Sequence, residues 1–85
     1  MKILYFAWLR QRIGVESEDV SPPASVKTVA QLVAWLGERS AKHREALKDP
    51  SIVRVAVNQE YARPNDPVGP GDEVAFFPPV TGGKA

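Results

Sequence analysis

One segment of the chain, from Thr28 to Ser40, has the apolar spacing of a helix, and strand-type residues lie on both sides of it. Its apolar residues recur at three- and four-residue intervals along one face: Val29, Leu32, Val33 and Leu36. The Thr28 hydroxyl can cap the first turn, and Gln31 three residues later completes a capping box. A helix with one apolar face needs a second layer against which to bury that face.

Short runs of strand-type residues can form this second layer. The apolar run Ile3–Trp8 predicts a central strand, and Val15–Val20 predicts a more exposed strand at an edge. Ile52–Val57 and Glu73–Phe77 predict two further strands, with a tight turn or short hairpin at Asn58–Tyr61. This order predicts an α+β fold, in which a mixed sheet carries one main helix packed on one face.

Polar and proline-containing segments connect these elements. We expect a polar turn at Arg10–Gly14 and a strand stop at Ser21–Pro23. Lys42–Lys48 predicts one more short helical turn, which Asp49–Pro50 ends, and Pro64–Asp72 predicts a loop with turns.

Size and charge exclude several functions. A chain of 85 residues forms one compact domain at most and leaves little room for a deep substrate cavity. A formal net charge of +1 gives no electrostatic footprint for nucleic acid or an anionic membrane. The apolar start lacks a signal-peptide cleavage site, and no stretch approaches the roughly 20 apolar residues of a membrane span. We therefore expect a cytoplasmic protein with neither a nucleic-acid nor a membrane partner.

Residues with catalytic chemistry are scarce. The absence of cysteine removes disulfides, thiolate catalysis and thiolate metal sites. The single histidine, His43, lies among charged residues, which predicts a solvated side chain. Asp72 and Glu73 follow Pro70 and Gly71, so turn formation explains them better than acid–base catalysis. We expect no metal, no bound cofactor and no catalysis by this chain alone.

The C-terminal segment has a composition unlike the rest of the chain. After Phe77 come residues that favour extended backbone or carry no side chain: Pro78, Pro79, Val80, Thr81, Gly82 and Gly83. At about 3.3 Å per residue these six span about 20 Å, enough to enter the active site of a partner. A frayed terminus is the alternative. We divide the chain into a domain at 1–77 and a flexible tail at 78–85.

Phe77 lies at the base of this tail. Strand alternation places Val74 and Phe76 on one face and Ala75 and Phe77 on the other. If the first pair faces the core, Phe77 is exposed and can anchor a partner. The alternative is that Phe77 packs into a second small cluster under a loop.

Both ends of the chain resemble a known family. Gly71–Gly83, with the sequence GDEVAFFPPVTGG, is similar to the C-terminal signature of the molybdopterin synthase small subunits (MoaD), which are ubiquitin-like sulfur carriers. Leu4–Ala7, followed by Leu9 and Arg10, resembles the N-terminal strand of that family, and Ala56–Gln59 matches it as well. The resemblance covers nearly the whole chain and implies a β-grasp fold.

The resemblance also implies a mechanism. An adenylyltransferase similar to ubiquitin-activating enzymes would use ATP on the carboxylate of Gly83, and a sulfur donor would displace AMP to leave a thiocarboxylate. The large catalytic subunit of the synthase would then receive Pro78–Gly82 as the inserted segment, and sulfur would pass to a cyclic pterin precursor. Phe77 would lie at the interface with both partners, and Arg10 would make a further interface contact. The chain itself would be a non-catalytic subunit.

The last two residues depart from the family pattern. The active form of the family ends at the second glycine, whereas Lys84 and Ala85 follow it here. With them present, the Gly83 carbonyl is a peptide amide that cannot be adenylated as an acid. Three explanations are open: a precursor cleaved after Gly83 by a processing protease, a tail added by cloning, or a diverged protein that no longer carries sulfur.

The diglycine also fits other functions. A carrier of the same architecture can serve thiamine synthesis, tRNA thiolation or amino-acid synthesis, although the run Phe-Phe-Pro-Pro-Val-Thr favours the molybdenum pathway. A non-catalytic ubiquitin-like binding module or protein modifier is the third possibility, because an uncleaved tail would leave only a binding surface.

Overall fold

The computed structural model describes residues 1–79. Five strands, three α-helices and one 3₁₀ turn follow one another along this part of the chain. In chain order they are β1 (Lys2–Tyr5), α1 (Trp8–Ile13), β2 (Ser17–Asp19), α2 (Val29–Arg39), α3 (Ala41–Leu47), the 3₁₀ turn (Pro50–Ile52), β3 (Arg54–Val57), β4 (Glu60–Tyr61) and β5 (Glu73–Phe77).

The strands form one mixed sheet in the order β2-β1-β5-β3-β4. The first and last described strands, β1 and β5, pair in parallel at its centre, with Ile3 opposite Val74 and Tyr5 opposite Phe76. The other neighbours pair antiparallel. This arrangement confirms the predicted α+β, β-grasp architecture and the edge position of β2.

The core lies between the sheet and the main helix. From α2 it receives Val29, Leu32 and Leu36, all buried as the apolar spacing predicts. From the sheet it receives four side chains that are at most 1% exposed: Ile3, Tyr5, Val74 and Phe76. Burial of these side chains is the main stabilising contribution.

The start of α2 has the predicted cap in a modified form. The Gln31 backbone N–H donates to Thr28 Oγ1 at 3.2 Å. The Gln31 side chain returns a bond through Oε1, but it accepts the N–H of Lys27 at 2.8 Å. The reciprocal bond is therefore shifted by one residue from the usual capping box.

The predicted strand Ile3–Trp8 and polar turn Arg10–Gly14 are partly wrong. The strand ends at Tyr5, and Trp8–Ile13 is a helix whose apolar residues Leu9 and Ile13 are both buried. Gly14 ends this helix at φ 97°, and its N–H donates to the Arg10 carbonyl at 2.8 Å. A left-handed glycine is a common helix stop, and it explains why the polar segment could be read as a turn.

The remaining segments agree with the sequence apart from the start of β3 and the ends of β2, which covers only Ser17–Asp19 of the predicted strand Val15–Val20. The helical turn predicted at Lys42–Lys48 is α3, and Ser40 caps it. Strand β3 begins later than predicted because Pro50–Ile52 forms a 3₁₀ turn, capped by Asp49 through the Ser51 N–H. Within residues 1–79, no helix has the length and apolarity needed to cross a membrane.

Candidate functional site

The sheet face opposite the helices carries a row of apolar side chains. The strand register places Leu4 beside Ala75, Ala75 beside Ala56, and Ala56 beside Tyr61. These residues alternate with the buried ones, so they lie on the other face of the sheet. Together with Phe6 and Phe77 they form what we call the open face. The two small alanine side chains lie side by side at its centre, between Leu4 and Tyr61.

Phe77 and Tyr61 form the aromatic part of the open face. Val74 and Phe76 are both 0% exposed, as predicted, and Phe77 lies half-buried on the opposite side of the strand. Its ring lies against Tyr61, with centroids 5.8 Å apart and planes inclined at 42°. Tyr61 is itself 79% exposed. The sequence placed Tyr61 only in a tight turn or short hairpin, because its position beside Phe77 depends on the pairing of β3 with both of its neighbours.

The end of β1 brings two further residues to the same edge of the sheet. Because β1 and β5 are parallel, both strands end there. The Phe6 N–H donates to the Phe76 carbonyl at 3.0 Å, and the Phe6 side chain is 48% exposed. Helix α1 follows directly and carries Arg10 on its exposed side. The predicted interface residues Phe77 and Arg10 therefore lie at one end of the sheet.

Only the first two residues of the predicted tail belong to the described part of the chain. Pro78 and Pro79 follow β5 and are half-buried. The other predicted tail positions, Val80–Gly83, lie outside the described residues, as do Lys84 and Ala85. The acyl position at Gly83 and the division into a domain at 1–77 and a tail at 78–85 therefore stay predictions.

A groove lies between α2 and the β3–β4 side of the sheet. Its cavity volume is about 790 Å³, and Val29, Ala30 and Val33 of α2 form one wall. Val53 and Val55 lie on the strand side, and Phe77 and Pro79 also line it. We call this cavity the α2–β3 groove. It adjoins the open face, because Phe77 and Tyr61 belong to both.

His43 is not the solvated residue that the sequence predicts. It is buried, at 9% exposure, because α3 packs its inner side toward the sheet. Its Nε2 lies 2.6 Å from Glu18 Oε2, and its Nδ1 lies 2.7 Å from Ser40 Oγ. The Tyr5 hydroxyl donates to the same Glu18 oxygen at 2.7 Å. We call these four residues the Glu18 network.

Hydrogen bonds and neighbouring charges stabilise the ionised form of Glu18. Burial by itself raises the pKa of the Glu18 carboxyl, but hydrogen bonds from Tyr5 and His43 and the charges of His43 and Arg39 outweigh it. The net result is a pKa below the usual glutamate range. Burial, followed by the hydrogen bond to Glu18, raises the pKa of the Tyr5 phenol far above its ordinary value. Tyr5 therefore remains a donor at physiological pH.

Ser40, His43 and Glu18 are the residue types of a hydroxyl–imidazole–carboxylate relay that activates a nucleophile. Their contacts here instead stabilise the fold. Ser40 Oγ accepts the His43 backbone N–H at 3.2 Å and so acts as the N-cap of α3. Glu18 is shared between His43 and Tyr5, which is buried in the core. The network attaches the edge strand β2 to the helix layer. Among residues 1–79, no group of three or more His, Asp or Glu side chains could hold a metal ion.

The Asp72 carboxylate acts in turn formation, as predicted, whereas Glu73 is the first residue of β5. Asp72 Oδ2 accepts the Gly69 N–H at 2.8 Å, and its Oδ1 accepts a bond from the Asn58 side-chain amide at 2.9 Å. Both oxygens of Asp72 are thus used to close the loop before β5.

Comparison with known proteins places the chain in a family. The sequence pattern of the ThiS family matches residues 3–83. The molybdopterin synthase sulfur carrier subunit of Escherichia coli is 40% identical over 83 residues, which cover 98% of this chain and 99% of that protein.

Solved structures agree with the fold. Small archaeal modifier protein 1 from Haloferax volcanii superposes with a TM-score of 0.73 at 27% identity, covering 94% of this chain and 97% of that one. The complex of subunits 1 and 2 of the molybdopterin-converting factor from Helicobacter pylori contains a chain with a TM-score of 0.63. At 23% identity, with 96% of both chains covered, that likeness concerns the fold alone. Since the family pattern spans nearly the whole chain, and the Escherichia coli relative matches it from end to end, this chain belongs to the ThiS family.

Proposed function

We propose that this chain is the sulfur-carrier subunit of a molybdopterin synthase. The observation that supports this best is the end-to-end match with the Escherichia coli sulfur carrier subunit at 40% identity. The family match ends at Gly83, the second glycine, which is the position where an activated acyl group would form. In this proposal a processing protease removes Lys84 and Ala85 before activation.

The proposed chemistry activates a group that is otherwise unreactive. A carboxylate is a poor electrophile, so the adenylyltransferase partner joins the Gly83 carboxylate to AMP and releases pyrophosphate from ATP. A sulfide equivalent then attacks the acyl carbon, AMP leaves, and a thiocarboxylate remains. The chain has no cysteine, and its single histidine is buried in the Glu18 network. The partners would therefore supply the acid–base chemistry, and ATP would bind to the partner.

The open face is the surface that we propose for docking. Phe77 and Tyr61 present an aromatic pair at the base of the tail, and Phe6 adds a second exposed ring at the same edge. Exposed aromatic clusters of this kind are typical anchors of protein interfaces. Arg10 and Arg54 would add charged contacts at the rim. Because both the adenylyltransferase and the large subunit must receive the same tail, we propose that they use the open face in turn.

Thiocarboxylation in vitro tests the proposal. A chain ending at Gly83 is incubated with the adenylyltransferase from its own host, ATP and a sulfur source, and its intact mass is measured. We expect one oxygen to be replaced by sulfur, whereas the chain that retains Lys84 and Ala85 stays unmodified. An unmodified chain ending at Gly83, alongside an adenylyltransferase that modifies its known carrier, would refute the proposal.

A carrier of another pathway or a protein modifier is the second candidate, supported by the fold likeness to small archaeal modifier protein 1. Affinity purification from the host distinguishes these candidate functions by the partner that is recovered. Recovery of a synthase large subunit supports the first proposal, and recovery of a thiazole synthase supports a thiamine carrier. Gly83 joined to lysines of other proteins would identify a modifier. For all these functions we propose a cytoplasmic location.

A further inference from the structure

Exposed cations are concentrated on two helices, although the net charge of the chain is only +1. Helices α1 and α3 carry four of them, Arg10, Arg12, Lys42 and Arg44, and one exposed carboxylate, Glu45. Among residues 1–79, none of these four cations takes part in an ion pair, whereas Glu45 does. Arg10 is already a predicted interface contact. We call the other three cations, Arg12, Lys42 and Arg44, the α1–α3 patch.

Contacts between the two helices bring the cations of the patch together. Lys42 Nζ lies 3.9 Å from the position that a Cβ on Gly14 would occupy, and Gly14 ends α1. The pKa of Glu45 on α3 is lowered mainly by its hydrogen-bonded lysine, and the charges of Arg44 and Arg12 lower it further. An arginine from each helix therefore lies near the same carboxylate. The patch is one continuous surface that crosses from α1 to α3.

The patch lies at the end of the sheet where β5 finishes. Strands β1 and β5 are parallel and end together, and only Phe6 and Ala7 separate β1 from α1. Helix α3 leads through the 3₁₀ turn into β3, whose first residue, Arg54, lies opposite Phe77. Both helices therefore adjoin the base of the tail. They lie on the side of the sheet away from the open face, so the patch is a second surface beside the tail base.

Carboxylates are concentrated at the opposite end of the sheet. Strand β5 begins there with Glu73, directly after Asp72, and Asp19 lies opposite Lys2 at the start of β1. The cations beside the tail base and the carboxylates at the far end give the domain an electric dipole. Its positive end lies at the tail base. A charge asymmetry of this kind orients a protein during its diffusional approach to a charged partner.

We propose that the α1–α3 patch steers the domain onto an acidic surface of the adenylyltransferase, next to the site that receives the tail. The identity of this partner rests on the proposed function, in which the carrier must meet the enzyme, be activated and leave again. Complementary charges suit such a transient encounter, because they raise the association rate more than the final affinity. The partner surface that meets the patch carries Asp and Glu side chains.

The patch fits an acidic protein surface better than a nucleic acid. Three cations neutralise about three phosphates, and binding that rests on so few contacts is weak at physiological salt. Single-stranded nucleic acid also needs aromatic rings on which its bases stack. Trp8, the aromatic residue of α1, has the Arg12 guanidinium over its ring, 5.9 Å from the centroid. That face of the ring is therefore already covered.

Association kinetics test the steering. The whole 85-residue chain is mixed with the adenylyltransferase from its own host, and association is followed by stopped-flow fluorescence. Raising the salt from 0.1 M to 1 M shortens the Debye length from about 10 Å to about 3 Å. The association rate constant should fall about tenfold or more over this range. A rate constant that does not change with salt, or no association at 0.1 M salt, would overturn the proposal.

A triple variant assigns the salt effect to the patch. Arg12→Gln, Lys42→Gln and Arg44→Gln together should lower the rate constant at 0.1 M salt about tenfold and leave it at the wild-type value at 1 M. All three side chains are exposed, so the melting temperature should change little. If the triple variant unfolds, the single variants carry the test, and each should slow association about twofold. Variants as fast as wild type at 0.1 M salt would contradict the proposal.

A matched control removes the same charge elsewhere. Its three substitutions fall on exposed cations outside the patch that form no ion pair among residues 1–79: Lys2→Gln, Lys27→Gln and Arg63→Gln. This control should keep most of the wild-type association rate. Equal slowing of the control and the patch variant would mean that net charge alone sets the rate, against a specific patch.

Two further readouts keep the proposals apart. A single-stranded RNA added as a competitor should leave association unchanged; an RNA that binds wild type but not the patch variant would make the patch a nucleic-acid site, against the proposal. Thiocarboxylation of the chain ending at Gly83, run to completion, tests the proposed function by itself. Wild type and the patch variant should both be modified, the variant more slowly. Modification at a rate independent of the patch and of salt would refute the steering and leave the sulfur-carrier function standing.

Discussion

Glu18 and His43 are separated by 25 residues in the chain, yet Glu18 Oε2 lies 2.6 Å from His43 Nε2. Through this contact the three-residue edge strand β2 is attached to α3. A strand this short has few ladder bonds of its own, so the buried contact is important for its position.

Replacing Glu18 by Gln should therefore destabilise the protein. The amide cannot accept charge-assisted bonds from both Tyr5 and His43, and a buried polar group that loses its partner costs about 1–3 kcal/mol. Urea unfolding measures the loss. The control Glu45→Gln removes an exposed ion pair with Lys48 and should change little. Equal stabilities of wild type and Glu18→Gln would contradict the role of the network.

The same residue should give a pH-dependent contribution. The pKa of Glu18 is lowered in the folded state, so its stabilisation is fully present above the unfolded value of 4.5 and is lost as pH falls through the folded pKa. The stability difference between wild type and Glu18→Gln should thus shrink as the pH falls below 4.5. A difference that stays the same down to pH 3 would mean that the carboxylate charge is not involved.

Tyr61 should matter for partner binding and hardly for folding. Its side chain is 79% exposed and rests on Phe77, so Tyr61→Ala removes interface area without opening the core. Loss of such an aromatic anchor weakens binding by about 2 kcal/mol or more. Calorimetric titration with the synthase large subunit measures this. Glu38→Ala, on the exposed side of α2, is the control and should bind normally. Normal binding by Tyr61→Ala would move the docking surface away from the open face.

Substitution of Gly14 tests how helix α1, which the sequence did not predict, is terminated. At φ 97° a side chain is strained even though the space is open: among residues 1–79, only Lys42 Nζ, at 3.9 Å, lies within 4 Å of an added Cβ. Gly14→Ala should destabilise by about 1 kcal/mol. In Gly71→Ala the added Cβ meets no atom of the described residues within 4 Å, and Gly71 has no positive φ, so this change should be neutral or slightly stabilising. Thermal unfolding of the two variants shows whether backbone conformation or space decides.

A bulky substitution at Gly82 tests whether the tail acts in sulfur transfer and not in folding. In the chain ending at Gly83, Gly82→Phe should leave the melting temperature nearly unchanged and sharply lower sulfur transfer, because bulk next to the acyl group blocks entry into the partner. For comparison, Leu32→Ala in the core should cost about 2–5 kcal/mol. A loss of stability of that size in Gly82→Phe would show that the tail contributes to the fold.

The helix layer and the sheet layer could be predicted well from the sequence, because the spacing of apolar residues shows which face of a helix or strand is buried. The spacing of Val29, Leu32 and Leu36 and the alternation of Val74 and Phe76 are direct consequences of one buried face. Helix α1 was missed because a six-residue helix buries only Leu9 and Ile13, and the strand before it has the same apolar character. The break between them depends on Ala7 at φ 57°, which no residue type signals.

The candidate site was only partly accessible from sequence for a different reason. Phe77 could be placed at the tail base by alternation along one strand. Its neighbour Tyr61 follows from two strand registers together, Ala56 opposite Tyr61 and Arg54 opposite Phe77. The burial of His43 likewise requires α3 to pack near β1 and β2. Contacts between segments that are distant in sequence belong to the tertiary structure, and local sequence patterns do not predict them.

The measurement that tests the central claim most directly is the intact mass of the untagged protein isolated from its own host. The sulfur-carrier proposal predicts a chain that ends at Gly83, with part of the population carrying sulfur in place of one carboxylate oxygen. A protein that retains Lys84 and Ala85 in every molecule would contradict it, because the acyl group that must carry sulfur would then never be free.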